Sequence, residues 1–489
     1  MIFSGHELLT PVEMQEADQL ALGNFKVRPL ALMENAGRAV VAQIVLRYPK
    51  GPVAVLCGPG NNGGDGFVVA RLLAAKKWPV RVFLTVETAT LQGDAAAMCA
   101  KWKGQVHAFA ALGRSFEKRA RPTLIVDAIF GAGLNREFPA NWASAIMAAK
   151  VPIVAVDVPS GLDGRTGRVL GHSVAADLTV TFFRKRPGHV LQPGRGLCGD
   201  VVVCDIGVPD GVLQVIMPKL WENTAPVLPM LLPSAHKFTR GHALIWSGPE
   251  LATGAARLAA QAAARSGAGL VSLVGPTDAL RVQAAHVTSI MLKPVESDGD
   301  LHNLLADKRT TAMCIGPGAG AGPALQRKVL AALKDGPALV LDADALTSFA
   351  EDRDNLFSAI QARGSWACVF TPHEGEFARL FKELSGGIDS KVEVARRAAA
   401  LCGAVVVLKG PDTVIASPDG RAVVNSNAPA KLATAGSGDV LAGIITGLLA
   451  QGWEGFEAAC AGVWLHGEAA NAVPRRTLIA EDLIEKLGM

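Results

Sequence analysis

Short, continuously apolar runs alternate with helix-like stretches twice along this chain, and that alternation limits the fold more than any other feature. Between 53 and 207 the runs are VAVL (53–56), VRVFLTV (80–86), TLIVD (123–127), IVAVD (153–157), DLTVTFF (177–183) and VVVCDIG (201–207). Helical stretches such as LQGDAAAMCAKW (91–102) lie between several of them. A strand that is apolar on both sides must be covered on both sides, so the pattern predicts a parallel sheet between two layers of helices. Residues 208–235 break the rhythm with five prolines and read as a connection with a few apolar anchors. The alternation then restarts with ALIWSG (243–248), LVSLVG (270–275), TAMCIGPG (311–318), ALVLDADAL (338–346), WACVFTPH (366–373) and VVVLKG (405–410). A chain of 489 residues exceeds what one core supports. The expected organisation is α/β in two domains, 1–215 and 235–489, with 216–234 as the linker.

Charge and cysteine usage exclude several classes. Lys and Arg total 48 against 44 Asp and Glu, a net charge of +4 that is too small and too evenly spread for a nucleic-acid binder. None of the eight cysteines forms a C-x-x-C pair, which points to reduced thiols and a cytoplasmic setting. No basic segment followed by an apolar one opens the chain, so no secretory leader is expected. Instead Thr10-Pro11-Val12-Glu13 reads as a helix start with a capping box. The longest apolar stretch, VLAGIITGLLAQGW (440–453), is broken by glycine and falls short of the roughly 20 residues that cross a bilayer, so no membrane contact is expected. One basic stretch, FFRKRPGH (182–189), is read either as a solvated strand end or as a phosphate contact.

Residues 58–66, GPGNNGGDG, join an apolar run to an Ala/Leu-rich helical one. At the carboxyl end of a parallel strand such a loop lets backbone N–H groups approach an anion at a helix N-terminus. It lacks the Lys-Ser/Thr of a P-loop. Two further strand ends carry acids: Asp127 leads into AIFGAGLNRE (128–137) and Asp157 into VPSGLDG (158–164). Asn, Asp, Ser and carbonyl oxygens suit a hard cation rather than zinc.

GPGNNGGDG, DAIFGAGL and VDVPSGLDG, in that order, resemble the N-terminal domain of the bifunctional NAD(P)H-hydrate repair enzymes. The resemblance spans residues 1 to about 215 and implies a Rossmann-like three-layer sandwich with NAD(P)HX epimerase activity and a bound potassium ion. It implies substrate contacts at Asn61, Asn62, Gly63, Gly64 and Asp65, at Gly131, Ala132, Gly133, Leu134, Asn135, Arg136 and Glu137, and at Asp157. It implies potassium ligands at Asn62, Asp127 and Ser160. The hydrate carries a hydroxyl on C6, beside ring nitrogen N1, so its configuration scrambles when the hydroxyl leaves and returns with help from the N1 lone pair. Asp127 and Asp157 are the candidate proton relays, and the sequence leaves open which one acts.

The second half carries ATAGSGD (433–439) ahead of a helical run. Gly436, Ser437 and Gly438 would open a helix whose free N–H groups face an anion. An acid there suits a base that takes a hydroxyl proton during phosphoryl transfer, so Asp439 is the candidate catalytic residue. Gly-Ser-Gly-Asp resembles the ribokinase-like phosphotransferases, and TPHEGE (371–376) resembles their Asn-x-x-Glu motif with His373 in place of Asn. Together with HKFTRGHALIWSGP (236–249), LDADAL (341–346) and VLKGPDTVI (407–415), these motifs resemble the ADP-dependent NAD(P)HX dehydratase over about 235–489. That resemblance implies a ribokinase-like α/β domain with substrate contacts at Ala255, Gly318, His373 and Asp439. It implies nucleotide contacts at Lys409, Gly410, Pro411, Asp412, Thr413, Gly436, Ser437 and Gly438, and Mg²⁺ held through water at Glu376. ADP would phosphorylate the C6 hydroxyl; loss of phosphate and of a C5 proton would restore NADH or NADPH and leave AMP. Lys431, where relatives often carry Gly-Asn-Pro-Gly, is a candidate to alter nucleotide contacts. The implied partners are NADHX, NADPHX and ADP, with association into a homo-oligomer. The rival reading is a ribokinase-like small-molecule kinase fused to a nucleotide-binding domain.

Overall fold

The structure is a computed structural model that describes residues 4–28, 30–113, 121–230, 233, 236–364, 367–384, 387 and 390–488. The chain divides into two compact units, one of them Gly5–Pro218 and the other containing Lys219–Met489.

In the first unit, seven strands among the described residues form one sheet: β1 (Val53–Cys57), β2 (Val80–Leu84), β3 (Val106–Ala108), β4 (Leu124–Ala128), β5 (Ile153–Val156), β6 (Leu178–Phe182) and β7 (Asp200–Cys204). Their order is β3-β2-β1-β4-β5-β6-β7, and every neighbouring pair is parallel. Each of the six apolar runs carries a strand, and β3 is added at the edge, where VHA is too short and too polar to stand out in the sequence. Alternate residues of β1 part to two cores: Val53, Val55 and Cys57 pack on one face, Ala54 and Leu56 on the other. That division is the three-layer sandwich the continuous apolar runs predict. The first helix, Pro11–Gly23, starts with the expected capping box: Glu13 N–H donates to Thr10 Oγ1 at 3.3 Å and Thr10 N–H to Glu13 Oε2 at 2.8 Å.

In the second unit ten described strands form one sheet: β8 (Leu220–Glu222), β9 (His242–Trp246), β10 (Leu270–Gly275), β11 (Met291–Pro294), β12 (Thr310–Ile315), β13 (Ala338–Leu341), β14 (Cys368–Phe370), β15 (Val405–Leu408), β16 (Val414–Ala416) and β17 (Ala422–Val424). The order is β11-β10-β9-β12-β13-β14-β15-β16-β17-β8, parallel from β11 to β15 and antiparallel through β16 and β17. Strand β8 pairs with β17. It comes from the segment read as linker, so that reading needs correcting: Leu220 and Trp221 are buried and complete the sheet edge. Residues 231, 232, 234 and 235, at the end of the expected linker, lie outside the described residues.

The apolar stretch 440–453 belongs to the helix Ser437–Ala450, which is buried at every position from Val440 to Ala450. No described helix is long and apolar enough to cross a membrane. Close approach explains its glycine: a Cβ on Gly443 would lie 2.2 Å from the Ala259 carbonyl oxygen of the helix Gly254–Arg265. Gly443→Ala is therefore expected to force the two helices apart and lower the stability of this unit by about 1–3 kcal/mol. Urea titration of the full chain measures it, and an unchanged midpoint for this unit would contradict the packing.

Candidate active sites

Strand order in the first sheet reverses between β1 and β4, and their carboxyl ends open a crevice there. The loop after β1 enters the helix Asn61–Ala75. Its glycines are set by contact: a Cβ on Gly58 would lie 1.8 Å from the Ile129 carbonyl oxygen, and one on Gly63 would lie 1.9 Å from the Gly58 carbonyl oxygen. The crevice holds a cavity of about 580 Å³, within the usual range for a small-molecule site. Asn61, Asn62, Asp65, Gly131, Ala132, Gly133, Leu134, Asn135, Arg136 and Asp157 all line it. Gly63 and Gly64 are buried behind the wall, and Glu137 is exposed outside it.

The two candidate proton relays separate at once. Asp127 is fully buried and does not line the cavity. Its Oδ1 accepts from Ser160 Oγ at 2.7 Å and from Ile129 N–H at 3.3 Å, and its Oδ2 accepts from Ser160 N–H at 2.8 Å. Ser160 Oγ also accepts from Phe130 N–H at 3.0 Å, so this pair ties the loop after β4 to the loop after β5. Burial pushes the Asp127 carboxyl above its usual range against those hydrogen bonds. Asn62 comes within reach of the same loop: a Cβ on Gly131 would lie 3.4 Å from its Oδ1. The Asn62 amide nitrogen is buried with no partner.

Asp157 stands in the cavity wall in a left-handed conformation, φ 66°. Its Oδ2 accepts from Ala132 N–H at 2.9 Å; its Oδ1 accepts from Thr181 Oγ1 at 3.1 Å and from Arg186 Nη2 at 3.2 Å. Burial pushes its carboxyl up, but the Arg186 guanidinium and the N–H and O–H donors outweigh that and hold it below the usual carboxylate range. His189 Nδ1 accepts from Arg186 N–H at 2.9 Å, so the other ring nitrogen carries the proton and donates to the Asp157 carbonyl at 2.8 Å. Burial lowers the His189 pKa to about 4, leaving it neutral.

The basic stretch 182–189 is thus not a solvated strand end. Arg184 pairs with Glu7 and Asp210, both at 2.8 Å, and Arg186 is buried and serves Asp157. Sequence reasoning also missed Asp18, which reaches the cavity from the helix Pro11–Gly23. Burial, with Asp157 nearby, raises its pKa to about 6 despite Arg186. Burial together with Asp157 and Asp18 raises Asp65 well above the usual range.

In the second sheet the order reverses at β9 and β12, and again the loops beyond those strands touch: a Cβ on Gly248 would lie 1.7 Å from the Gly318 carbonyl oxygen. Ala255, in the first turn of the helix Gly254–Arg265, would lie 3.3 Å from a Cβ on Gly318. The helix Ser437–Ala450 begins at Gly436, in a left-handed conformation, with no side chain capping its N–H groups. Ser437 Oγ turns back to the Thr434 carbonyl at 2.9 Å. Lys409 points its ammonium at this helix end, 3.3 Å from where a Cβ on Gly438 would stand, and ion-pairs with buried Asp342 at 2.9 Å. Burial works against the Lys409 charge, but Asp342, Glu376 and Asp439 hold its pKa above the usual value. Burial, then Asp342, raises Asp439 to about 6 in spite of Lys409.

Around this centre the expected residues divide. His373 is the N-cap of the helix Glu374–Leu380: its Nδ1 accepts from Gly375 N–H at 3.0 Å and Glu376 N–H at 3.3 Å. That is the work an Asn carbonyl does at such a position, which explains the exchange. Glu376 returns the cap, its Oε2 accepting from His373 N–H at 2.8 Å. The loop of Lys409, Gly410, Pro411, Asp412 and Thr413 is closed by Thr413 Oγ1 donating to the Gly410 carbonyl at 2.9 Å and by Lys391 on Asp412 at 2.7 Å. Lys431, the candidate to alter nucleotide contacts, donates to the Val473 and Arg475 carbonyls.

Comparison with known proteins matches two families to different parts of the chain. The family "YjeF-related protein N-terminus" matches residues 29–188, and the family "NAD(P)H-hydrate dehydratase" matches residues 243–488. A protein of Moorella thermoacetica named bifunctional NAD(P)H-hydrate repair enzyme is 37% identical, covering 98% of this chain and 96% of its own. One of the same name from Salinibacter ruber is 37% identical, covering 98% and 95%. Among solved structures, an ADP/ATP-dependent NAD(P)H-hydrate dehydratase of Bacillus subtilis, co-crystallized with ATP/Mg²⁺, is 30% identical over 53% of this chain and 92% of its own, with a TM-score of 0.44.

The Arg186–Asp157 pair yields a test with a defined sign. Asp157 has a lower pKa folded than unfolded, so its contribution to stability is full above the usual carboxylate range and fades as pH falls. Arg186→Gln leaves a buried carboxylate without its cation and should lower the stability of the first unit by about 3–5 kcal/mol at neutral pH, and by less in acid, where Asp157 is protonated. Urea titrations at the two pH values measure this; equal losses at both would contradict the ion pair.

Proposed function

Because the chain belongs to the family of bifunctional NAD(P)H-hydrate repair enzymes, we propose that its first cavity interconverts the R and S epimers of hydrated NADH and NADPH, and that its second crevice dehydrates the S epimer with ADP. The products of the second reaction are NAD(P)H, AMP and phosphate. The observation that carries the second assignment is a carboxyl with a pKa of about 6 at an uncapped helix end, beside a lysine ammonium.

Asp439 takes the proton of the C6 hydroxyl as that oxygen attacks the terminal phosphate of ADP. The N–H groups of Gly438 and Asp439, free of intrahelical partners, and the Lys409 ammonium face the charge that develops. The phosphorylated C6 oxygen then leaves as phosphate, and loss of a C5 proton forms the ring double bond. Ala255, Gly318 and His373 border the substrate, while Lys409 to Thr413, Gly436 and Ser437 border the nucleotide. Magnesium, when bound through water to Glu376, would offset phosphate charge; the carboxylate keeps lone pairs beyond those its cap uses.

In the first cavity the hydroxyl leaves C6 with a proton from a carboxyl group, the N1 lone pair closes a C6=N1 bond, and water re-enters from the other side. Asp157, held ionised, faces the cationic ring. Asn62, Asp127 and Ser160 would hold potassium: one buried carboxylate and neutral oxygens suit a monovalent hard cation. The orphaned Asn62 amide position supports this, since turning the amide over puts an oxygen there. The ion would supply a fixed positive charge against Asp127. Reduced, unpaired cysteines among the described residues support a cytoplasmic setting, and the family resemblance supports a homo-oligomer.

Asp439→Asn should slow ADP-driven recovery of NADH from its S hydrate by about 100-fold or more, while R and S epimers still interconvert. Equal loss of both would refute two separate sites. In the wild-type protein the dehydration rate should rise as pH passes through about 6 and then level, because the ionised form of Asp439 is the base. A rate that falls across that range would exclude the role. Asp127→Ala should do the reverse of Asp439→Asn: S-hydrate dehydration persists, while epimerisation and its response to added potassium are lost. Near-ultraviolet absorbance of the reduced nicotinamide follows dehydration, and chromatography of the R and S hydrates follows epimerisation.

A further inference from the structure

Four carboxyl groups line the first cavity. Asp94, on the helix Gly93–Lys101, is exposed; the three others come from three different elements, Asp18 on the helix Pro11–Gly23, Asp65 on the helix Asn61–Ala75 and Asp157 beyond β5. Their surroundings differ in kind. Both Asp157 oxygens are taken, by Ala132 N–H, Thr181 Oγ1 and Arg186 Nη2. A carboxylate with that many donors on it is a weak base and stays an anion. The Asp65 side chain has no hydrogen bond and no ion pair among the described residues, and Asp157 and Asp18 crowd it. It stands in the second turn of its helix, beyond the first-turn N–H groups that stabilise a carboxylate. Arg186, the buried cation of the site, serves Asp157.

We propose that Asp65, and not Asp157, is the catalytic residue that carries the proton in epimerisation. The assignment rests on the epimerase reading of this cavity. In the first half of the reaction the Asp65 carboxyl gives its proton to the C6 hydroxyl. The C6–O bond breaks, its electron pair leaves with the oxygen as water, and the N1 lone pair forms C6=N1. In the second half a water adds to C6 from the opposite face, the C6=N1 pair returns to nitrogen, and the added water's proton goes back to Asp65, through a cavity water where the face requires it. The enzyme ends as it began, and no oxidant or co-reactant is needed. Asp157 remains ionised throughout and faces the positive ring. Like-charge crowding has a use here: a third carboxylate near Asp65 makes ionising it harder, so the proton is present when the hydrate arrives.

The test uses the full chain with potassium present and ADP omitted, so that the second site is silent, and follows the epimers by chromatography from pure R hydrate. Asp65→Asn, which keeps the shape of the side chain, should lower the epimerisation kcat by about 100-fold or more while hydrate affinity changes by less than about threefold. Asp65→Glu, which keeps the acid, should recover part of the lost rate. A urea midpoint of the first unit equal to that of the wild type reports that the cavity is folded, and S-hydrate dehydration on addition of ADP reports the second unit. Wild-type protein that does not speed interconversion would overturn the epimerase reading itself. Wild-type protein that works, with Asp65→Asn keeping more than about a tenth of the rate or Asp65→Glu no better than Asp65→Asn, would overturn the assignment to Asp65 and return the proton to Asp157. If Asp65→Asn does not fold, the Asp65→Glu rate decides: a shifted carboxyl that still turns over supports the proposal, and an inactive chain whose first unit keeps the wild-type urea midpoint overturns it.

Discussion

In both units the site exists because two loops beyond the switch strands touch backbone to backbone. After β1 and β4 the contact is Gly58 on the Ile129 carbonyl; after β9 and β12 it is Gly248 on the Gly318 carbonyl. A side chain at either glycine would wedge the loops apart, since a Cβ would stand within 2 Å of a carbonyl oxygen in each case. Parallel strands leave all their carboxyl ends on one edge, and the reversal of order there leaves a gap no helix fills. The glycine contact closes the floor of that gap and leaves its mouth open. Every polar group discussed above hangs from the rim so formed.

Charge is handled alike on the two rims. Each unit has one carboxylate at a strand end tied to a cation that a later segment of chain delivers: Asp157 to Arg186 in the first, Asp342 to Lys409 in the second. Each also has a carboxyl pushed up by burial and by that fixed anion: Asp65 and Asp18 in the first, Asp439 in the second. The fixed pair costs desolvation that its attraction only partly offsets. What the first unit gains is an anion held below the usual carboxylate range beside carboxyls held above it. A site that must move a proton needs both, because a group free to ionise alone in water would sit near its ordinary pKa and hold no proton at neutral pH.

Much of this was legible in the sequence, and the part that was not shares one cause. Strands, the Thr10 cap and the three glycine-rich loops are local patterns, and each expected run holds a strand. Two acids at strand ends likewise follow from local reading, because any residue there points at the crevice. Arg186 could not be read in this way. It sits in a basic stretch whose other arginine is tied to Glu7 and Asp210, and nothing in FFRKRPGH says which cation turns inward across 29 residues to Asp157. Asp18 is one of three acids on its helix and reads as solvated until the helix is docked. Strand β8 was hidden for the same reason: its partner, β17, is far away in sequence. His373 shows the converse, a residue that departs from its motif yet keeps the motif's hydrogen bonds, because Nδ1 can accept where an Asn carbonyl would.

In our reading the two sites act on the same C6 hydroxyl to opposite ends, and the difference lies in what stands opposite the acid. Epimerisation must give the oxygen back, so the first cavity offers a proton and a fixed anion: Asp65 and Asp157 both line it. Dehydration must keep the oxygen from returning, and phosphorylation does that by making it a poor nucleophile once it has left. That step needs uncapped N–H groups and an ammonium for the phosphate charge, which Ser437–Ala450 and Lys409 supply, and a base that is ionised at neutral pH, which a pKa of about 6 allows. A carboxyl held as far up as Asp65 would fail as that base, and one at about 6 would be mostly ionised and a poor proton store in the first cavity. The two reactions therefore require opposite protonation states of a carboxyl at the same pH. One pocket cannot hold both, which is a physical reason for the chain to carry two.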